Sequence, residues 1–325
     1  MTFLRRFGID GYMLVLLGTV VLGAVLPVRG IAAEGLGYIT WGAVALLFFL
    51  YGVRMNAAEV WAGLTNWRLQ GLSFVATYVF FPVVGVILAT VMRPVLGNEL
   101  ATGLLFLSVL PSTINSSIAF TGMAGGNVSG AICSASLSNL IGVLLTPLLT
   151  ALVLHQGGGL VTGGAVLKIA SQILLPFLIG QMLRRWLGEF VRRHKVLTMV
   201  VDRGSILLIV YSAFSASTVA GIWGLIPPVT LVILFGVILL YLAIAMRGVL
   251  GLAALGRLSP PDRSALFFCG STKSLASGLP IAAALFPASI IGTTILPVMM
   301  FHMTQLLVCA VVAQRAARRS AEVVA

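Results

Sequence analysis

Runs of about 20 apolar residues, each long enough to cross roughly 30 Å of hydrocarbon as a helix, recur ten times along this chain. They fall at 11–28, 38–54, 71–92, 100–121, 127–154, 165–184, 204–223, 229–250, 263–285 and 288–313. A backbone in hydrocarbon must satisfy its own polar groups, so such runs fold as helices. Of the 325 residues, 59% are hydrophobic and 9% are charged. A soluble fold of this length could not cover so much apolar surface. The expected fold is therefore an all-α polytopic membrane protein, one transmembrane domain over 1–325.

Charge follows the same plan. The net charge of +12 raises the possibility of a nucleic-acid partner. It is set aside because the basic residues lie between apolar runs and not on one soluble face. With the N-terminus cytoplasmic, sixteen Lys and Arg fall in inside segments, three (Arg29, Arg93, Lys168) fall outside, and Lys273 lies within a span. That asymmetry predicts both termini on the cytoplasmic side of the cell (inner) membrane. Arg5-Arg6 before the first apolar run resembles a signal peptide. A retained first helix is expected instead, because removing it would leave unequal halves. The three cysteines, Cys133, Cys269 and Cys309, sit in apolar segments and imply no disulfide framework.

Ten spans divide into five plus five, and an odd number per half inverts the second half relative to the first. Faint internal matches keep their order: Leu26-Pro27 with Leu175-Pro176, Ser112-Thr113 with Ser271-Thr272, and Pro147 with Pro297. Spans 4 and 9 are each interrupted at mid-membrane depth. The interruptions are Pro111-Ser112-Thr113-Ile114-Asn115-Ser116-Ser117 and Gly270-Ser271-Thr272-Lys273-Ser274-Leu275-Ala276-Ser277-Gly278-Leu279-Pro280. Broken helices in matching positions of two repeats are the best pointer to a transporter's binding site. Residues 56–68, with Trp61 and Trp67, are too polar to cross and read as an interfacial helix.

Intramembrane charge is costly, and Lys273 is the single case. All eight acidic residues lie at span ends, in loops or in tails, so its ammonium needs carbonyls, hydroxyls or an anionic ligand, or it is neutral. It could bind an anionic substrate, exchange the coupling proton or act as a tethered cation. It could also do no more than tie together the carbonyl ends of a broken helix. Thr113, Asn115, Ser116 and Ser117 offer oxygens at the first break, and Ser271, Thr272 and Ser274 at the second. These groups can coordinate a hard cation or polar ligand, or re-satisfy freed backbone and allow close packing. Asn139 in span 5 and His302 in span 10 join the candidates, with Thr304 and Gln305 beside the histidine. Tyr211, Ser212, Ser215 and Ser217 suggest a cavity wall in span 7. There is no HExxH, no Cys/His cluster and no phosphate-binding Gly-rich loop, so neither an enzyme nor an ATP-driven pump is expected, and no cofactor.

The stretch from Pro111 to Val128 with Leu144-Leu145-Thr146-Pro147, and Phe267 to Pro280, resembles the bile acid:sodium symporter superfamily, in its divergent symporter-like branch. The resemblance spans nearly all ten runs. It implies a panel subdomain (about 11–54 and 165–223), a core subdomain (about 71–154 and 229–313), and crossing of the broken spans 4 and 9. It further implies an organic-anion substrate and an elevator-like motion. The chain departs from the sodium-coupled pattern. Ala276 and Leu275 stand where the symporters carry an asparagine and a glutamine, the symporters' cation-binding glutamate falls at or next to Ser271 and is lost here, and Ala131 and Ala135 stand where they carry hydroxyl ligands. Meanwhile Lys273 adds a positive charge, which would repel a nearby sodium by about 1–4 kcal/mol. Sodium is possible but disfavoured. The expected function is a secondary transporter of a small organic anion with Lys273 as substitute charge. The alternatives are a non-transporting membrane regulator on the same scaffold and a conventional sodium-coupled symporter. Oligomeric state is not legible.

Overall fold

The computed structural model describes residues 11–54, 66–156 and 173–324, and among these every regular element is helical. In chain order they are α1 (Gly11–Val25), α2 (Ile31–Arg54), α3 (Trp67–Val75), a π-turn (Ala76–Phe80) and α4 (Phe81–Ser108). After these come α5 (Asn115–Met123), α6 (Val128–Gln156), α7 (Leu175–Arg193) and α8 (Lys195–Val219). The remainder are a 3-10 turn (Ile222–Leu225), α9 (Pro228–Leu255), α10 (Pro260–Gly270), α11 (Leu275–Leu285) and α12 (Ala288–Val324). Among the described residues, six helical stretches are long and apolar enough to cross a membrane: Ile31–Arg54, Trp67–Ser108, Val128–Val153, Lys195–Val219, Pro228–Leu255 and Ala288–Arg318. The protein is an integral, multi-pass membrane protein. Residues 165–172 of the run at 165–184 lie outside the described residues, as do 56–65 of the interfacial helix expected over 56–68.

Two local irregularities shape the site. Gly97 adopts φ +79° inside α4, a conformation that costs a Cβ-bearing residue dearly and glycine little. The chain folds back there, so that an added Cβ on Gly85 would lie 2.3 Å from the Ser108 Cβ. Pro82 causes the second irregularity. In the π-turn before it, the Phe81 N–H reaches back five residues to the Ala76 carbonyl. The next such bond would run from residue 82 to the Thr77 carbonyl, but proline has no N–H to give. The Thr77 oxygen is left free inside the protein.

The remaining breaks follow from composition. Pro111 and the small polar residues after it end α4 and delay α5 until Asn115. Ser274 starts α11 by accepting from the Ser277 N–H, as serine does at helix N-caps. Gly125, at φ +68°, makes the turn from α5 to α6. Phe286 and Pro287 separate α11 from α12.

Packing is tightest where glycine removes the side chain. An added Cβ on Gly52 of α2 would lie 2.1 Å from the Phe177 carbonyl oxygen of α7, and one on Gly180 would lie 2.1 Å from that of Phe49. Helices α1, α2, α7 and α8 pack together, and α3 to α6 pack with α9, α10 and α12. The two groups meet where α8 runs along α11 and α12 and where α2 meets α11. At that seam the Ser217 hydroxyl accepts from the Gly292 N–H and donates to the Ser289 carbonyl, both at 3.1 Å.

Candidate functional site

The two breaks lie directly against each other, with the Ser274 N–H donating to the Pro111 carbonyl at 2.8 Å. A break in a buried helix frees carbonyls at the end of its first half, and each needs a donor. At the end of α4 every carbonyl from Leu105 to Ser112 has one. Ser108 Oγ donates to Leu105 at 2.6 Å. The N–H groups of Val109 and Leu110 serve Phe106 and Leu107. Thr146 Oγ1 serves Val109 at 2.8 Å, and Asn139 Nδ2 serves Ser112 at 2.8 Å. The carbonyls of Ser108 and Leu110 accept from Lys273 Nζ at 2.9 and 2.7 Å.

The third proton of that ammonium goes to the Thr77 oxygen freed by Pro82, at 2.9 Å. Nζ also sits 4.2 Å from the centroid of the Phe81 ring, a cation–π distance. An ammonium has three N–H donors and no acceptor. All three are used, and Lys273 is 1% exposed. The cation lies at the C-terminal end of α4, where the helix dipole favours positive charge. Among the sequence readings of Lys273, this geometry matches both a lysine that ties carbonyl ends and a tethered cation. It leaves no donor for a substrate in this conformation.

The second break solves the same problem with hydroxyls. Ser271 Oγ donates to the Phe267 carbonyl at 2.5 Å, and Thr272 Oγ1 and Ser117 Oγ both reach that of Phe268, at 2.8 and 3.0 Å. Ser112 Oγ donates to the Cys269 carbonyl at 2.6 Å. Thr272 Oγ1 is within 3.3 Å of the hydroxyls of Ser112, Thr113 and Ser117, and Ser116 donates to Thr113 at 2.6 Å. The cluster is a closed hydrogen-bond net between the two breaks.

Around this net the other candidates take distinct places. Asn115 is exposed and Ser116 half-buried in the first turn of α5. Asn139 bridges the breaks: its amide serves Ser112, and its Oδ1 accepts from Ser277 Oγ at 2.6 Å. Ser274 hydrogen-bonds Ser277 at 3.0 Å. His302 Nδ1 lies 3.3 Å from the Lys273 carbonyl. The structure thus brings all ten candidate residues to the two breaks and the helices beside them.

Gln305 and Ser277 complete the arrangement without having been among those candidates. Gln305 Oε1 accepts from the Lys273 N–H and its Nε2 donates to the Lys273 carbonyl, each at 2.8 Å. Its place one turn after His302 on an apolar helix was the only available signal. The span 7 hydroxyls behave otherwise than as a simple cavity wall. Tyr211 donates to the Leu26 carbonyl and Ser215 accepts from the Val28 N–H, which holds the chain leaving α1.

The profile of the SBF-like CPA transporter family matches residues 10–318. The chain belongs to that family. PA2026 of Pseudomonas aeruginosa is 46% identical over 317 residues, covering 97% of this chain and 95% of its own. YfeH of Escherichia coli, which carries the name of a symporter, is 42% identical over 316 residues, covering 96% and 94%. Sodium/bile acid cotransporter 7 of Rattus norvegicus is 25% identical over 272 residues, covering 83% and 80%. These relatives set the SBF-like CPA chain within the bile acid:sodium symporter superfamily, as the two motifs suggested. It is a family of transporters, not of enzymes, and its members' names imply a transported small molecule.

Proposed function

We propose that this protein is a secondary transporter of a small organic anion in which Lys273 stands permanently where a mobile cation would otherwise sit. The carrying observation is the convergence of the Thr77, Ser108 and Leu110 carbonyls on Lys273 Nζ between the two breaks. Three carbonyl oxygens and an aromatic face are what a monovalent cation needs from a dry site, and a side chain of this protein supplies the cation. In this reading the helices form ten passages in an inverted five-plus-five repeat with both termini cytoplasmic, in the cell (inner) membrane. The fold-back at Gly97 separates passages three and four. The panel is α1, α2, α7 and α8, the core is the rest, and the core moves against the panel in an elevator-like cycle. The substrate takes the face lined by Asn115, Ser116, Asn139 and Ser277, at the N-terminal first turns of α5 and α11, whose dipoles favour an anion.

The test is the thermal stability of detergent-purified protein with sodium, methylammonium and a panel of organic anions, wild type beside Lys273→Ala. A ligand that binds only the folded state adds about 2.7 kcal/mol at 100 times its dissociation constant. The expected result is that an anion stabilises wild type while sodium does not, and that sodium or methylammonium stabilises Lys273→Ala by refilling the vacated carbonyls. Stabilisation of wild type by sodium would overturn the tethered-cation reading in favour of a sodium-coupled symporter.

A further inference from the structure

We propose that His302 is a proton-binding site, and that its occupancy sets the position of the second break; the inference rests on the transporter reading above. The Gln305 carboxamide grips the Lys273 peptide from both sides, which fixes its own orientation: oxygen toward the N–H, nitrogen toward the carbonyl. The same Gln305 Nε2 lies 2.9 Å from His302 Nδ1. Since Nε2 is a donor, the neutral imidazole accepts at Nδ1 and carries its hydrogen on its own Nε2.

Nδ1 also lies 3.3 Å from the Lys273 carbonyl, a pure acceptor. Without moving, the ring has a donor facing it for its neutral form and an acceptor facing it for its protonated form. Protonation turns Nδ1 into a second donor toward the Lys273 carbonyl and sets it against the Gln305 Nε2 hydrogens. One proton therefore competes with the grip that α12 has on the second break.

The charge around the ring gives this proton a use. On the elements packed against α12, the carboxylates are Glu99 of α4, Asp202 of α8 and Asp262 at the start of α10, the last accepting from Asn66 and Asn127. Glu99 is held by Thr293, nine residues before His302 and so about 13 Å along the axis. Asp202 is paired with Arg54. The cations are Arg93 of α4, Lys195 and Arg203 of α8, Arg247 of α9, Arg263 of α10 and Lys273 itself, with Tyr211, Tyr241 and Cys269 as the neutral titratable groups; α12 itself carries Cys309, Arg315 and Arg318. No carboxylate on these elements is placed to neutralise an imidazolium. An anionic substrate at the neighbouring breaks supplies that charge, so proton and anion favour each other, the thermodynamic basis of symport.

The chain has three histidines, His155, His194 and His302, so 15N-histidine-labelled protein gives a small NMR spectrum in which His302→Gln identifies the signal. The expected signal is a neutral ring with a hydrogen-bonded, unprotonated Nδ1, which converts to imidazolium on acidification while the fold persists. In Gln305→Ala, Nδ1 shifts toward the free-imine position. A His302 that stays neutral at every pH at which the protein is folded overturns the proton site and leaves the organic-anion reading standing. A Nδ1 signal unmoved in Gln305→Ala overturns the proposed link to the break. Failure of every organic anion to stabilise the protein sinks the transporter reading whatever His302 does.

Discussion

Lys273 is the residue on which both breaks depend. Its removal strips the donor from three buried carbonyls at once, and each unsatisfied group costs on the order of 1–3 kcal/mol. Lys273→Met is therefore expected to lower unfolding free energy by about 3 kcal/mol or more, read from a denaturant series at fixed salt; a loss under about 1 kcal/mol would mean the carbonyls have other donors. Thr272→Val tests the hydroxyl net. Its Oγ1 touches three other hydroxyls and one carbonyl, yet Ser117 also serves that carbonyl, so a loss of about 1 kcal/mol is expected. The lysine stood out in the sequence because charge is rare in apolar runs. Its partners did not, because main-chain carbonyls carry no residue signature. The Thr77 carbonyl is available only because a proline five positions later has no N–H.

At the level of elements, the breaks at 109–114 and 271–274 were legible because proline, serine and threonine in an apolar run cannot continue a buried helix cheaply. The grip of Gln305 on the second break was not, since one glutamine among apolar residues reads equally as packing. A turn between the runs 71–92 and 100–121 was expected, but nothing marked Gly97 among the other glycines as the residue that makes it. The crossing of α2 and α7 depends on Gly52 and Gly180, each within 2.1 Å of a backbone oxygen once a Cβ is added. Backbone cannot rotate away as a side chain can. Gly52→Leu is expected to force these helices apart and to cost about 3 kcal/mol, whereas Gly71→Ala, where nothing lies within 4 Å, should be close to neutral. Melting curves of the two variants compare them directly. Pro82→Ala restores an N–H that competes with Lys273 for the Thr77 oxygen. The expected outcome is a fold within about 1 kcal/mol of wild type and faster modification of Lys273 by a small amine reagent.

For the whole molecule, the seam between the two helix groups is where any large motion must act. Ser217 closes part of it through Ser289 and Gly292, and an added Cβ on Gly292 would lie 2.9 Å from that of Ser217. A Ser217→Cys, Gly292→Cys pair is expected to cross-link on mild oxidation, since disulfides need Cβ atoms about 3.5–4.5 Å apart and a small shift provides that. If the core slides against the panel, the cross-linked protein should retain ligand-induced stabilisation in detergent and lose uptake in proteoliposomes, with recovery on reduction. Uptake that survives complete cross-linking would rule out sliding at this seam. The family and the multi-pass architecture were both readable from apolar run lengths and two motifs. The seam was not, because the residues that form it are ordinary serines and glycines.

The ammonium held by Thr77, Ser108 and Leu110 is covalently attached, so it cannot be released at either side of the membrane. A carrier that borrows its cation from solution delivers that charge with each load and returns empty-handed. One that owns its cation takes the charge on both journeys. In the proposed cycle a monovalent anion offsets the lysine, and the proton that accompanies it on His302 leaves the loaded stroke with one net charge, the same as the unloaded return. Each elementary charge moved through the full field is worth about 2.3 kcal/mol per 100 mV. On that cycle membrane voltage would act on both strokes, helping the one that moves the charge down the field and slowing the other.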